Sequence, residues 1–221
     1  MIIFRHFILF LILAMFIKIL RGATLFTDIT IDAGILFSGA SEGVCVFDYN
    51  NDGMDDILFT TRNGSSNHLY RNEGNMIFMD VSFESNIGVT MEARTAVAGD
   101  FDNDGDLDVF IGATVGESML FENTGEGTFQ DITDISGINI SDQVRGSSWV
   151  DHDKDGFLDL YVGLLYEPNK LFKNNGDGTF VDVAQNINAA GPLAAGIIMG
   201  CLLYTSPSPR DATLSRMPSS A

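Results

Sequence analysis

The sequence predicts an all-β fold, a fragment of a β-propeller with about three four-stranded blades. The first reason is a strict internal repeat: aspartate clusters begin at Asp48, Asp100 and Asp151, 52 and 51 residues apart. The second is that the runs between them are β-branched and aromatic and are bounded by Gly and Asp, as strands are. The third is that no stretch carries a convincing helical period.

Each element of the repeat has its own reading. "DDILFTT", "DLDVFIGA" and "DLYVGL" predict strands directly after the aspartate clusters. "LYRNEGNMIF" from Leu69, "LFENTGEGTF" from Leu120 and "LFKNNGDGTF" from Leu171 predict hairpins with Gly-rich turns. The small, apolar segments before the clusters, such as "RTAVAGD" and "GSSWVD", suit inner strands near a crowded axis. A short motif, "FTDIT" at Phe26, "FMDVS" at Phe78, "FQDIT" at Phe129 and "FVDVA" at Phe180, marks repeats of about 26–77, 78–128 and 129–179, with a fourth beginning at 180–200. Repeats of about 40 to 50 residues are those of four-stranded propeller blades.

Both ends read differently from the middle. Residues 1–22 read as a secretory signal peptide, with Arg5 and His6 ahead of an apolar run from Phe7 to Ile17. That run is short for a membrane span, and an uncleaved anchor is the alternative. Cys201 to Asp211 resembles the translation of a sequencing-library adapter, and Ser215 to Ala221 matches the flow-cell adapter that follows it. Residues 201–221 therefore read as an adapter-derived, disordered tail, leaving 23–200 as the folded fragment. Each aspartate cluster begins 22 residues after its motif phenylalanine, so a fourth is expected to start at 202. Three blades do not close a ring, so exposed sheet faces and poor solubility are expected.

The chain carries a formal net charge of −18, and residues 23–200 hold 7 Lys+Arg against 29 Asp+Glu, a net of −22. Nucleic acid is excluded as a partner, because its recognition needs a basic patch. A 45% hydrophobic content also excludes a disordered acidic tail. The charge is focused: 13 of the 30 acidic residues fall in the three clusters. With Cys201 in the tail, Cys45 stands alone, so neither a disulfide framework nor a thiolate metal site is on offer.

The clusters share one ligand spacing. "DYNNDGMDD" sets Asp48, Asn50, Asp52 and Asp56 at positions 1, 3, 5 and 9. "DFDNDGDLD" sets Asp100, Asp102, Asp104 and Asp108 there, and "DHDKDGFLD" sets Asp151, Asp153, Asp155 and Asp159. Gly53, Gly105 and Gly156 stand at position 6, where a sharp turn needs glycine's backbone freedom. Position 7 (Met54, Asp106, Phe157) varies freely, which suits a ligand offered by the backbone carbonyl. Only oxygens are presented, so a hard cation is implied, and Ca²⁺ fits an all-protein cage better than Mg²⁺. About one Ca²⁺ per complete repeat, three in all, is expected. An EF-hand is ruled out, because it needs a Glu at position 12 and flanking helices. Position 12 here is Phe59, Ile111 or Val162, each inside a predicted strand.

These motifs together resemble the FG-GAP/VCBS repeat proteins, which build integrin-α-like β-propellers with Ca²⁺ in a loop between two strands. The combination "FxD[IV]", "DxDxDGxxD[IL]" and "L[YF]xNxGxGTF" is most similar to the secreted cartilage acidic protein (ASPIC/UnbV) group. The resemblance covers about residues 24–200 and implies a full-length propeller of seven blades. It departs at Asn50, where an Asp is expected, and in lacking the terminal ASPIC/UnbV segment.

The function expected is that of a secreted, non-catalytic Ca²⁺-binding repeat protein that engages an extracellular protein or glycan. Location at the outer surface or periplasm would follow for a bacterial source. A membrane enters only if the N-terminal segment stays uncleaved. The alternative is a propeller module of a larger extracellular enzyme, such as a polysaccharide lyase or phosphodiesterase. No residue set resembles a catalytic triad. His152, at position 2 of its loop, is expected to point outward. His68 is expected in a polar loop, and Trp149 and Phe101 to pack between blades. Asn63-Gly-Ser and Asn139-Ile-Ser would be glycosylation acceptors in a eukaryote.

Overall fold

The computed structural model describes residues 26–191. The expected signal peptide (1–22) and the adapter-like tail (201–221) lie outside the described residues. Within them are three four-stranded antiparallel sheets, each built from consecutive strands in simple meander order. The first holds Ser41–Phe47 (β1), Asp56–Thr61 (β2), His68–Asn72 (β3) and Phe78–Asp80 (β4). The second holds Glu92–Gly99 (β5), Asp108–Val115 (β6), Met119–Asn123 (β7) and Phe129–Asp131 (β8). The third holds Val144–Val150 (β9), Asp159–Leu164 (β10), Lys170–Asn174 (β11) and Phe180–Asp182 (β12). The chain is thus the all-β propeller fragment that its repeats predict.

Three of the four short "FxD" motifs, at Phe78, Phe129 and Phe180, form the last strand of a sheet and so close the sheet that began before them. Repeats counted from the phenylalanine and sheets counted by hydrogen bonding are therefore out of phase. Phe26–Asp28 forms no strand. The aspartate of the motif has a local task. Asp131 accepts from the backbone N–H (3.0 Å) and hydroxyl (2.6 Å) of Thr133, turning the chain off the strand. Asp28 and Thr30 repeat the same pair of bonds. The hydroxyl then accepts from the neighbouring strand: Leu120 N–H to Thr133 and Leu69 N–H to Ser82, both at 2.9 Å. One helical turn, Thr133–Ser136 (α1), follows β8, where no helix is expected from the sequence.

The core lies between successive sheets. Strand β6 shows why, because it is buried on both faces from Asp108 to Thr114. Alternation along a strand sends neighbours to opposite sides. Val109 and Ile111 pack with Phe47, Leu58 and Leu69 of the first sheet. Phe110 packs instead with Leu160, Val162 and Phe172 of the third. Each such side chain contributes roughly 1.5–3 kcal/mol on burial. On β1, Val44 and Val46 face outward and are more than half exposed. Cys45 is half-buried between them on the packed face, and burial pushes its thiol up to about 11.

Candidate metal centre

The three aspartate clusters are the loops joining β1 to β2, β5 to β6 and β9 to β10. Position 12 lies in β2, β6 and β10, as a strand residue and not a ligand. The loops curl through left-handed backbone at two places. The glycines at position 6 have φ of 87° (Gly53), 98° (Gly105) and 94° (Gly156). Position 4 does the same without glycine: Asn51 at 57°, Asn103 at 63° and Lys154 at 62°. Asparagine tolerates this region, so "NDG" in the first two loops encodes the turn through both residues.

That curl folds backbone N–H groups onto the side chains. At position 1, Asp48 accepts from Asp52 N–H (3.1 Å) and Gly53 N–H (2.7 Å), and Asp151 accepts from Asp155 N–H (3.1 Å) and Gly156 N–H (3.2 Å). At position 3, Asn50 and Asp102 accept from the N–H of position 5 at 3.3 and 3.2 Å. At position 5, Asp52, Asp104 and Asp155 accept from the N–H of position 7 at 2.8, 2.9 and 3.0 Å.

Position 9 is built differently. Asp56, Asp108 and Asp159 are fully buried at the first residue of their strands. One oxygen of each accepts from the N–H of position 2: Tyr49 at 3.0 Å, Phe101 at 3.1 Å and His152 at 2.9 Å. The other accepts from the N–H of an asparagine ending the third strand: Asn72 at 2.7 Å, Asn123 and Asn174 at 2.8 Å. Position 9 therefore ties the loop to two strands as well as facing its centre.

Sequence reasoning missed those asparagines. Asn123 and Asn174 each donate from Nδ2 to a carbonyl of their own loop (Leu107, 3.2 Å; Leu158, 3.1 Å) and to position 2 of the preceding loop (Tyr49 and Phe101, 2.8 Å). The signal was the Asn shared by "LYRN", "LFEN" and "LFKN". Position 2 is also the inter-sheet residue. Tyr49 stacks on Phe129, and Phe101 packs on Trp149 and Phe180, as expected of Phe101 and Trp149.

The structure corrects two other readings. His152 does not point outward; its Nδ1 lies 2.5 Å from Asp159 Oδ2, inside the loop. His68 opens strand β3, bonded to Asp80 at 2.9 Å and against the Phe37 ring. Side chains at position 7 lie against hairpin glycines: a Cβ on Gly176 would lie 2.9 Å from the Phe157 ring, and one on Gly125 2.7 Å from Asp106 Oδ2.

Two sets of carboxylates converge. Oxygens of Asp100, Asp102 and Asp108 lie within 4.8 Å of one another, as do those of Asp151, Asp153 and Asp155. Ligand atoms of His152, Asp153 and Asp159 also come together within that distance. Among the described residues the first loop forms no such trio, since Asn50 replaces one carboxylate. Burial pushes Asp102 up to about 6 and Asp108 up to about 8, with neighbouring carboxylates adding to the rise. Asp100 and Asp56 are raised for the same first reason. Asp100 Oδ1 is buried with no hydrogen-bond partner. A buried acceptor left unpaired is costly, and a cation would satisfy it.

Two overlapping stretches, residues 48–111 and 100–162, match the FG-GAP-like repeat family. The chain belongs to the FG-GAP-like repeat proteins. Each matched stretch runs from one aspartate loop through the strand after the next, so the repeat match includes the loops themselves. Three similar relatives are cartilage acidic protein 1 from Xenopus tropicalis (29% identical over 54% of this chain), Homo sapiens (25% over 70%) and Mus musculus (26% over 70%). This FG-GAP-like chain spans only 19%, 25% and 26% of those proteins' lengths. Among the described residues no helix is long and apolar enough to cross a membrane.

Proposed function

We propose that the chain is a secreted, non-catalytic, Ca²⁺-stabilised repeat protein that engages an extracellular protein or glycan. The observation that carries the Ca²⁺ reading is Asp100 Oδ1, buried and unpaired beside two other carboxylates in an oxygen-only loop. The side chains at positions 1, 3, 5 and 9 and the carbonyl at position 7 would hold one ion per loop, three in all. Ca²⁺ bound there supplies the positive charge that lets buried carboxylates stay ionised. Its role is structural, since each loop joins the first two strands of a sheet. The relatives' name, an acidic protein of cartilage, supports an extracellular setting. A non-catalytic role is supported by the names of the relatives, which describe no enzyme.

The test is a thermal melt of the full chain with Ca²⁺ and with a chelator. At about tenfold excess over a Kd of roughly 10⁻⁴–10⁻³ M, linkage contributes about 1.4 kcal/mol per site. A melting temperature unmoved by chelation would sink the reading.

A further inference from the structure

The residue before each clamp asparagine holds one register in all three sheets: Arg71, Glu122 and Lys173. The three differ in charge and in what they touch. Lys173 Nζ donates to two carboxylates of its own loop, Asp153 at position 3 and Asp155 at position 5 (2.8 Å). Arg71 pairs with Glu73, with Nη2 2.6 Å from the carboxylate, and with no aspartate of its loop. Asn175 stands where Glu73 does, so the third hairpin has no such acid to draw Lys173 off. In the second sheet the residue is itself an acid, and the Glu122 charge acts on Asp102.

We propose that Lys173 is a built-in counter-ion that competes with the divalent cation for the third loop, so that it fills after the second. The proposal rests on the Ca²⁺ reading above. An ammonium that bonds the side chains at positions 3 and 5 takes up lone pairs that the cation would use. Binding there requires Lys173 to leave both carboxylates, and the departing ammonium remains close to the incoming charge. The second loop has the opposite balance, with five aspartates and Glu122 beside them. The same anion pattern in two loops is thus tuned in opposite directions by one position on the third strand.

The test is calorimetric titration of the full chain with CaCl₂, comparing wild type, Lys173→Met, Lys173→Gln and Lys173→Arg. Lys173 is exposed in part, so the expected tightening of the third-loop site in the Met and Gln variants is modest, about three- to tenfold. Arginine keeps the charge and should leave that site weak. Adding Asp151→Asn to Lys173→Met should abolish the tightened transition, assigning it to the third loop. In chelator, Lys173→Met should melt below wild type, while its Ca²⁺-induced rise is larger. If Ca²⁺ binds but no site tightens in either neutral variant, the Lys173 proposal fails and the Ca²⁺ reading stands. If no variant binds Ca²⁺, wild type included, both fall.

Discussion

The side-chain amide of Asn174 donates to the main-chain oxygen of Phe101 at 2.8 Å, from the third sheet into the loop of the second. Asn123 makes the same bond to Tyr49, one sheet earlier. In the second and third sheets one asparagine thus joins its own hairpin, its own aspartate loop and the preceding sheet. Asn174 also accepts from Gly176 N–H at 2.9 Å and donates to Leu158 O. Replacing Asn174 by Ala strands partners on three segments: Phe101 O, which is buried, Leu158 O and Gly176 N–H. We expect a loss of about 2–4 kcal/mol in a urea melt, with or without Ca²⁺. A loss below 1 kcal/mol would contradict the clamp (the range of an exposed polar residue).

Positions 5 and 9 of one loop should respond differently to the same change. Asp108 is fully buried and accepts from Phe101 and Asn123 N–H, so Asp108→Asn sets an NH₂ group against a backbone donor. Above about pH 8, where Asp108 is ionised, stability in chelator should fall by about 2–3 kcal/mol. Asp104 is exposed, and its one bond, from Asp106 N–H, survives in Asn. Asp104→Asn should leave the chelated melt within about 0.5 kcal/mol of wild type and shrink the Ca²⁺-induced rise. Equal losses in chelator would show that position 9 is not the structural tie.

The pH dependence of the metal-free protein follows from the raised carboxyls. Asp102 titrates at about 6 and Asp108 at about 8, while unfolded aspartates titrate at about 3.9. Between those values the native state binds more protons than the unfolded one. This contribution to stability is therefore complete below about pH 4 and is lost as pH rises through about 6 and then about 8. Chelated protein should lose stability from pH 4.5 to 8.5, and saturating Ca²⁺ should remove the decline. Stability that rises over this range in chelator would overturn the assignment.

The first hairpin turn departs from the other two at Met76. Met76 has φ of 66°, where the matching residues are Gly127 (76°) and Gly178 (82°). A methionine in left-handed backbone costs more than the flexibility that glycine adds to the unfolded chain. Met76 is largely exposed, so little packing is lost with it. Met76→Gly should raise the denaturation midpoint, by about 0.5–1 kcal/mol in stability. A lowered midpoint would mean that the side chain packs more than its exposure indicates.

Much of this protein was legible in the residues alone, because a repeat reports the same local physics three times. Period, strand runs and "NxG" turns gave the sheets, and the alternating oxygens with glycine at position 6 marked the loops. What the sequence by itself determined was local: which segments extend, where they turn, and which side chains one turn can gather. Contacts between segments distant in the chain were decided only in the tertiary structure. His152 sits where Tyr49 and Phe101 pack, yet its ring turns to Asp159, a choice set by the imidazole's own hydrogen bonding. Lys173 meets Asp153 and Asp155 only because the third strand returns beside the loop that opened the sheet. Asn174 reaches Phe101 because two sheets stack face to face. Hydrogen bonds and ion pairs act over a few ångströms, and the pairing of distant segments brings their partners within that range.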